Sequence, residues 1–164
     1  MVITLVLGGA RSGKSEVGER LVAALPPPRT YVATWAADPD DEDMAERVDR
    51  HRRRRPDDWA VVEVEDGDLA AAVAGLEGSV LVDGLGTWLA QVAGFAGDGR
   101  ELGGVLGRRK GDTVVVSDEV GMGVHPETEA GRAFRDELGR VNREVADAAD
   151  EVLLVVAGRT LRLG

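Results

Sequence analysis

The sequence predicts an α/β fold, a mostly parallel sheet with helices on both faces. Three observations predict it. Short apolar runs, nearly continuous and rich in β-branched residues, recur along the chain. Segments of helical periodicity separate them. The first run enters a glycine-rich turn that leads directly into a helical pattern.

The apolar runs are Val2–Leu7, Thr30–Thr34, Val80–Val82, Thr113–Val116 and Val152–Val156. Unbroken apolarity marks a strand covered on both faces. Ala60–Val64 alternates instead, as an edge strand does. Helical patterns fall at Ser15–Leu25, Asp41–Arg54, Leu69–Leu76, Thr87–Ala93 and Thr128–Ala149. In the last of these, Ala130, Phe134, Leu138, Val141, Val145 and Ala149 share one face. The Asp41–Arg54 pattern starts acidic and ends basic, so its charges complement the helix macrodipole. Pro26–Pro28 reads as a loop. Residues 94–111 hold seven glycines and are expected to be mobile or a weak helix. No repeat or internal boundary is visible, and residues 1–164 are expected to form a single domain.

Thirty acidic side chains against twenty basic ones leave a formal charge of −10. That balance excludes a general nucleic-acid binder and a polybasic membrane anchor. With no cysteine, disulfide scaffolds, zinc–thiolate sites and thiol nucleophiles are excluded as well. No segment approaches the roughly 18 apolar residues of a membrane span. The apolar Met1–Leu7 lacks a basic start and is too short for a signal peptide, so a cytoplasmic location is expected. Eighteen of the basic residues are Arg; the two lysines are Lys14 and Lys110.

Gly8-Gly9-Ala10-Arg11-Ser12-Gly13-Lys14-Ser15 fits the phosphate-loop pattern G-x-x-x-x-G-K-[ST]. An apolar strand precedes it and a helical pattern follows, which is the context the motif requires. Its glycines let backbone N–H groups wrap a phosphate, and the helix N-terminus adds its dipole. Lys14 would reach the outer phosphates as a compact charge, a role the planar Arg fork fills poorly. Ser15 would ligate Mg²⁺. Asp83, ending the run Val80-Leu81-Val82, is the candidate second contact to the metal; a simple helix cap is the other reading.

Six arginines crowd residues 47 to 55, around His51. Met44, Val48 and His51 stand at i, i+4 and i+7, on the apolar face of the expected helix. Neighbouring guanidinium groups favour a neutral, nucleophilic imidazole, and they could grip a triphosphate. The run equally fits a solvated basic helix end carrying an incidental histidine. Nucleic-acid binding is disfavoured, since aromatic residues are scarce and the net charge is negative.

Together with the phosphate loop, Tyr31-Val32-Ala33-Thr34, Arg47-Val48, His51, Arg55-Pro56 and Trp59 resemble the bifunctional adenosylcobinamide kinase / adenosylcobinamide-phosphate guanylyltransferase family of cobalamin biosynthesis. So do Glu119-Val120-Gly121-Met122-Gly123-Val124, Arg132-Ala133-Phe134-Arg135-Asp136, Gly139-Arg140-Val141-Asn142 and Ala149-Asp150-Glu151-Val152. The likeness runs in order through almost the whole chain. It implies a RecA-like P-loop NTPase fold and a two-step enzyme. ATP or GTP phosphorylates the aminopropanol hydroxyl of adenosylcobinamide. GTP then transfers GMP to that phosphate through a GMP–histidine intermediate, giving adenosyl-GDP-cobinamide. His51 stands at the guanylylated position. The resemblance assigns nucleotide contacts to Gly8 through Ser15, Ala33, Thr34, Trp35, Arg52, Arg53, Arg54, Arg55, Glu63 and Asp83. It also implies a homotrimer. Asp118 departs from the family pattern, standing where Asn is usual before Glu-Val-Gly.

Overall fold

In the computed structural model, which describes residues 1–34, 58–64 and 67–164, the apolar runs become neighbouring strands of one sheet. In chain order they are β1 (Ile3–Gly8), β2 (Arg29–Ala33), β3 (Ala60–Glu63), β4 (Ser79–Asp83), β5 (Thr113–Asp118), β6 (Glu151–Val156) and β7 (Arg159–Leu163). The spatial order is β3-β2-β4-β5-β1-β6-β7. β1 through β6 pair in parallel, and β7 returns antiparallel to β6. β3 occupies an edge, as its alternating pattern predicts. The helix expected over Asp41–Arg54 lies outside the described residues, and so do Trp35, His51 and Arg52, Arg53, Arg54 and Arg55.

Period-two alternation sorts the strand side chains into two cores. Leu5, Val32, Val80, Val82 and Val115 face one side of the sheet. There they meet α2 (Leu69–Ala74), α3 (Leu85–Gln91), α4 (Gly99–Leu106) and α5 (Glu129–Ala148) through Leu69, Leu89, Leu106, Leu138 and Val141. Val6, Tyr31, Leu81, Val114 and Val116 face the other side, against Val17 and Val22 of α1 (Lys14–Ala23) and against Trp59. Helices thus cover both faces, as the continuous apolar strands require.

Three helix starts follow from local chemistry. Asp68, Asp98 and Thr128 accept from the backbone N–H of Ala71, Glu101 and Gly131 at 2.9, 2.8 and 3.1 Å. Each therefore satisfies one of the N–H groups that an isolated helix end leaves unpaired.

In two regions the structure shows more than the sequence predicts. The strand β7 carries no apolar run, because all five of its residues are exposed. It forms through a two-residue hairpin turn with Ala157 and Gly158 at φ 49° and 73°. Positive φ at both turn residues matches the right-handed twist of the strands it joins. The second region is the glycine-rich 94–111, which holds a short 3-10 turn (Ala93–Phe95) and the helix α4. Leu102 and Leu106 are buried. A Cβ on Gly103 would lie 2.9 Å from Ala148 Cβ, and one on Gly99 2.9 Å from Glu144 Cβ. These glycines set the close approach of α4 to α5 rather than loosening the chain. Farther along, the guanidinium of the buried Arg109 donates to Leu76 O and Gly78 O at 3.0 and 2.9 Å and also bonds Thr113 Oγ1. Burial lowers its pKa below the ordinary arginine value.

Candidate phosphate site at the carboxyl edge of the sheet

Because β1, β2, β4 and β5 are parallel, their last residues, Gly8, Ala33, Asp83 and Asp118, come out at one edge of the sheet. In open α/β sheets that edge is where ligands bind. The register is direct: Ala33 pairs with Asp83, and Gly8 with Asp118.

The loop from Gly8 to Ser15 is shaped by its neighbours. A Cβ on Gly8 would collide with Ser12 Oγ and stand 2.9 Å from Val155 O. Ser12 N donates to Gly9 O at 3.2 Å, and Gly158 N donates to Ser12 O at 2.8 Å. The β6–β7 turn therefore braces the phosphate loop from outside. Gly13 precedes α1 at φ 93°, a conformation that an L side chain adopts only under strain. Ala10 and Arg11 form the exposed crown of the loop.

Lys14 is buried, and its Nζ stands 2.6 Å from Asp118 Oδ1 and 3.3 Å from Gly9 O. Ser15 Oγ donates to Asp83 Oδ1 at 3.0 Å, and Tyr31 Oη donates to Asp83 Oδ2 at 2.8 Å. Thr34 Oγ1 lies 3.0 Å from Asp83 O, 2.6 Å from Gly84 O and 2.7 Å from Thr87 Oγ1. Gln91 Nε2 holds Thr34 O. Each of these side chains near the loop is thus fixed by at least one other.

Of the residues expected at the site, Gly8, Gly9, Ala10, Arg11, Ser12, Gly13, Lys14, Ser15 and Asp83 lie together, with Ala33 and Thr34 at the adjoining end of β2. Glu63 ends β3, in register with Ala33, and is exposed. It therefore stands two strands away from Asp83. Two contributors were not singled out as site residues from the sequence, namely Asp118, the ion-pair partner of Lys14, and Tyr31, which holds the second oxygen of Asp83. A carboxylate closing an apolar strand was the signal that found Asp83, and Asp118 carries the same signal.

The donors suit Mg²⁺. Ser15 and Asp83 offer a hydroxyl and a carboxylate 3.0 Å apart. Among the described residues no group of three or more His, Cys, Asp or Glu could cage a metal. Mg²⁺ prefers such a sparse site, taking one or two protein oxygens and filling its shell with water and substrate phosphate.

A parallel sheet whose first strand enters a phosphate loop, with Lys, Ser and a strand-terminal Asp converging on it, defines a RecA-like P-loop nucleotide-binding fold. A solved structure from Pyrococcus horikoshii OT3 shares this fold at a TM-score of 0.56 and 8% identity, over 98% of this chain and 85% of the other. The family model CobU, described as cobinamide kinase / cobinamide phosphate guanyltransferase, matches residues 4–163, and the chain belongs to this family. It is 37% identical to the bifunctional adenosylcobalamin biosynthesis protein CobP of Pseudomonas aeruginosa, over 97% of this chain and 95% of that one. It is 34% identical to the bifunctional adenosylcobalamin biosynthesis protein CobU of Escherichia coli, over 96% and 97%. The Salmonella typhimurium protein of that name is 33% identical over the same shares.

Proposed function

We propose that this chain phosphorylates adenosylcobinamide and then guanylylates the product. The observation that carries the reading is the joint placement of Lys14, Ser15 and Asp83 against one phosphate loop, in a member of the cobinamide kinase / guanyltransferase family. In the first reaction the substrate hydroxyl attacks the γ-phosphorus of ATP or GTP. The new P–O bond forms as the bond to the β-phosphate oxygen breaks, the hydroxyl proton leaves, and a nucleoside diphosphate departs. Phosphoryl transfer is mostly positioning and electrostatics. The loop N–H groups hold the phosphates, and Lys14 offsets charge on the outer ones. Mg²⁺, held by Ser15 and Asp83, would neutralise phosphate charge in the bound triphosphate.

In the second reaction a ring nitrogen of His51 attacks the α-phosphorus of GTP and pyrophosphate leaves. A phosphate oxygen of adenosylcobinamide phosphate then attacks the phosphorus of the GMP–histidine. The P–N bond breaks, the imidazole is restored, and adenosyl-GDP-cobinamide forms. Arg52, Arg53, Arg54 and Arg55 are assigned to the triphosphate, Ala33, Thr34, Trp35 and Glu63 to the nucleotide. A trimer is the proposed assembly, each chain acting as one domain over residues 1–164. No helix among the described residues is long and apolar enough to cross a membrane, and the cytoplasm is the proposed location.

The test is conversion of purified substrate. With Mg²⁺ and GTP, adenosylcobinamide should yield the phosphate first and then the GDP derivative with one pyrophosphate. Phosphorylation without guanylylation would reduce the chain to a P-loop kinase, and no phosphorylation with either ATP or GTP would overturn the reading.

A further inference from the structure

The ion pair at the foot of the phosphate loop points to a role for an acidic residue in the nucleotide site. Lys14 has one ammonium and three N–H donors. Asp118 takes one at 2.6 Å and Gly9 O lies near a second at 3.3 Å. The Lys14 side chain is 10% exposed and that of Asp118 29%, so the pair is only partly open to water on the carboxylate side. The backbone that carries the carboxylate is held in place. The main chain of Asp118 accepts at its carbonyl from Asn142 Nδ2 at 3.0 Å, and Asn142 Oδ1 accepts from buried Ser117 Oγ at 2.6 Å. The next peptide N–H, of Glu119, donates to Gly8 O at 3.0 Å. On its other side, Asp118 Oδ2 lies where a Cβ on Gly86 would come within 2.8 Å. Asp118 is thus built into the wall facing Lys14.

We infer that Asp118 is a built-in counter-anion that lowers the site's affinity for the outer phosphates of a nucleotide, by occupying Lys14 and by repelling the phosphate that shares it. Both effects have one sign. If Lys14 leaves Asp118 to reach a phosphate, a strong charge-assisted bond must be broken first. If Lys14 keeps both partners, two acceptors on one ammonium stand about 4.5 Å apart, and their negative charges repel. The inference rests on the phosphate-loop part of the proposed function and not on the corrinoid chemistry.

Asp118→Asn keeps the shape and removes the charge. Binding is measured by calorimetry with Mg²⁺ and no corrinoid, using GMP, GDP and the α,β-methylene analogue of GTP, which blocks transfer of GMP to the protein. The substitution should tighten binding of the analogue roughly tenfold, GDP by less, and GMP hardly at all. A merely structural role would shift all three nucleotides alike. Unchanged or weaker analogue binding in Asp118→Asn, with the variant folded by circular dichroism, would overturn the inference. So would a gain equal for GMP and the analogue. Failure of wild-type protein to bind any of the nucleotides would instead count against the P-loop reading itself.

Discussion

Lys14 shows how a single position carries more than its type. The chain uses Arg almost everywhere, yet a lysine stands at the foot of the loop. It is buried between Gly9 O and Asp118 Oδ1, a space for a tapering stem and a compact ammonium. A guanidinium is wider and planar, and it cannot point one charge between two oxygens in the same way. Lys14→Arg should therefore keep the charge and lose roughly 10²–10³-fold in kcat/KM for phosphorylation, as steady-state kinetics with adenosylcobinamide would register. Asp83 is held differently, by Ser15 on one oxygen and Tyr31 on the other. Tyr31→Phe leaves the carboxylate and removes one of its restraints. A loss of roughly 10- to 100-fold in activity at limiting Mg²⁺, recovered in part at high Mg²⁺, is the expected result; equal activity at all Mg²⁺ concentrations would show that Tyr31 serves packing alone.

Among the elements, α4 tests the packing account. Its glycines at 103 and 104 are adjacent in sequence and opposite in environment. Gly103 is buried and faces Ala148 Cβ, whereas Gly104 is exposed with only the Arg108 Nη1 end nearby at 3.3 Å. A side chain added at Gly103 must push α5 away, which costs about 1–3 kcal/mol. At Gly104 an alanine restricts the unfolded chain and favours helix, a gain of about 0.4–1 kcal/mol. Urea unfolding of Gly103→Ala and Gly104→Ala should therefore give midpoints shifted in opposite directions. Two shifts of the same sign would mean that α4 does not pack as described.

These same elements show what the sequence made legible. β1, β2, β4 and β5 are covered on both faces by helices, so each appears as an unbroken apolar run; β6 has the same kind of run although it is only partly buried and ends on the exposed Val156. β3 showed itself as an edge through its alternation. β7 left no such trace, because a strand exposed along its whole length has no hydrophobic constraint to reveal it. Glycines at 99 and 103 left a mobile segment and a weak helix both open, since composition does not distinguish a flexible glycine from one that admits a neighbouring helix; the structure has the helix. At the site, the phosphate loop and Asp83 were readable because their chemistry fixes residue type at fixed places. The contacts of Asp118 with Lys14 and of Tyr31 with Asp83 join residues 104 and 52 positions apart, and only the parallel register brings them together.

At the scale of the whole molecule, the sheet order places the ends of β2, β4, β5 and β1 side by side, so that one loop can present a triphosphate to groups arriving from several strands. A −10 chain with one arginine cluster can hold such a ligand, because net charge describes the surface as a whole and binding depends on the local field. The bifunctional reading requires the same nucleotide site to expose its γ-phosphorus to an alcohol and its α-phosphorus to His51. The trimer follows as a separate prediction: light scattering on the purified chain should give three times 17.4 kDa, and a monomer mass at working concentration would remove it.

The central claim is that one chain carries both half-reactions through a histidine. It is tested most directly by incubating the protein with α-labelled GTP and Mg²⁺, without and with adenosylcobinamide. Label should attach to the protein in an acid-labile, alkali-stable bond, pass to a corrinoid product when substrate is present, and disappear in His51→Ala while that variant still folds. Label that remains on His51→Ala, or wild-type protein that never becomes labelled, would contradict it.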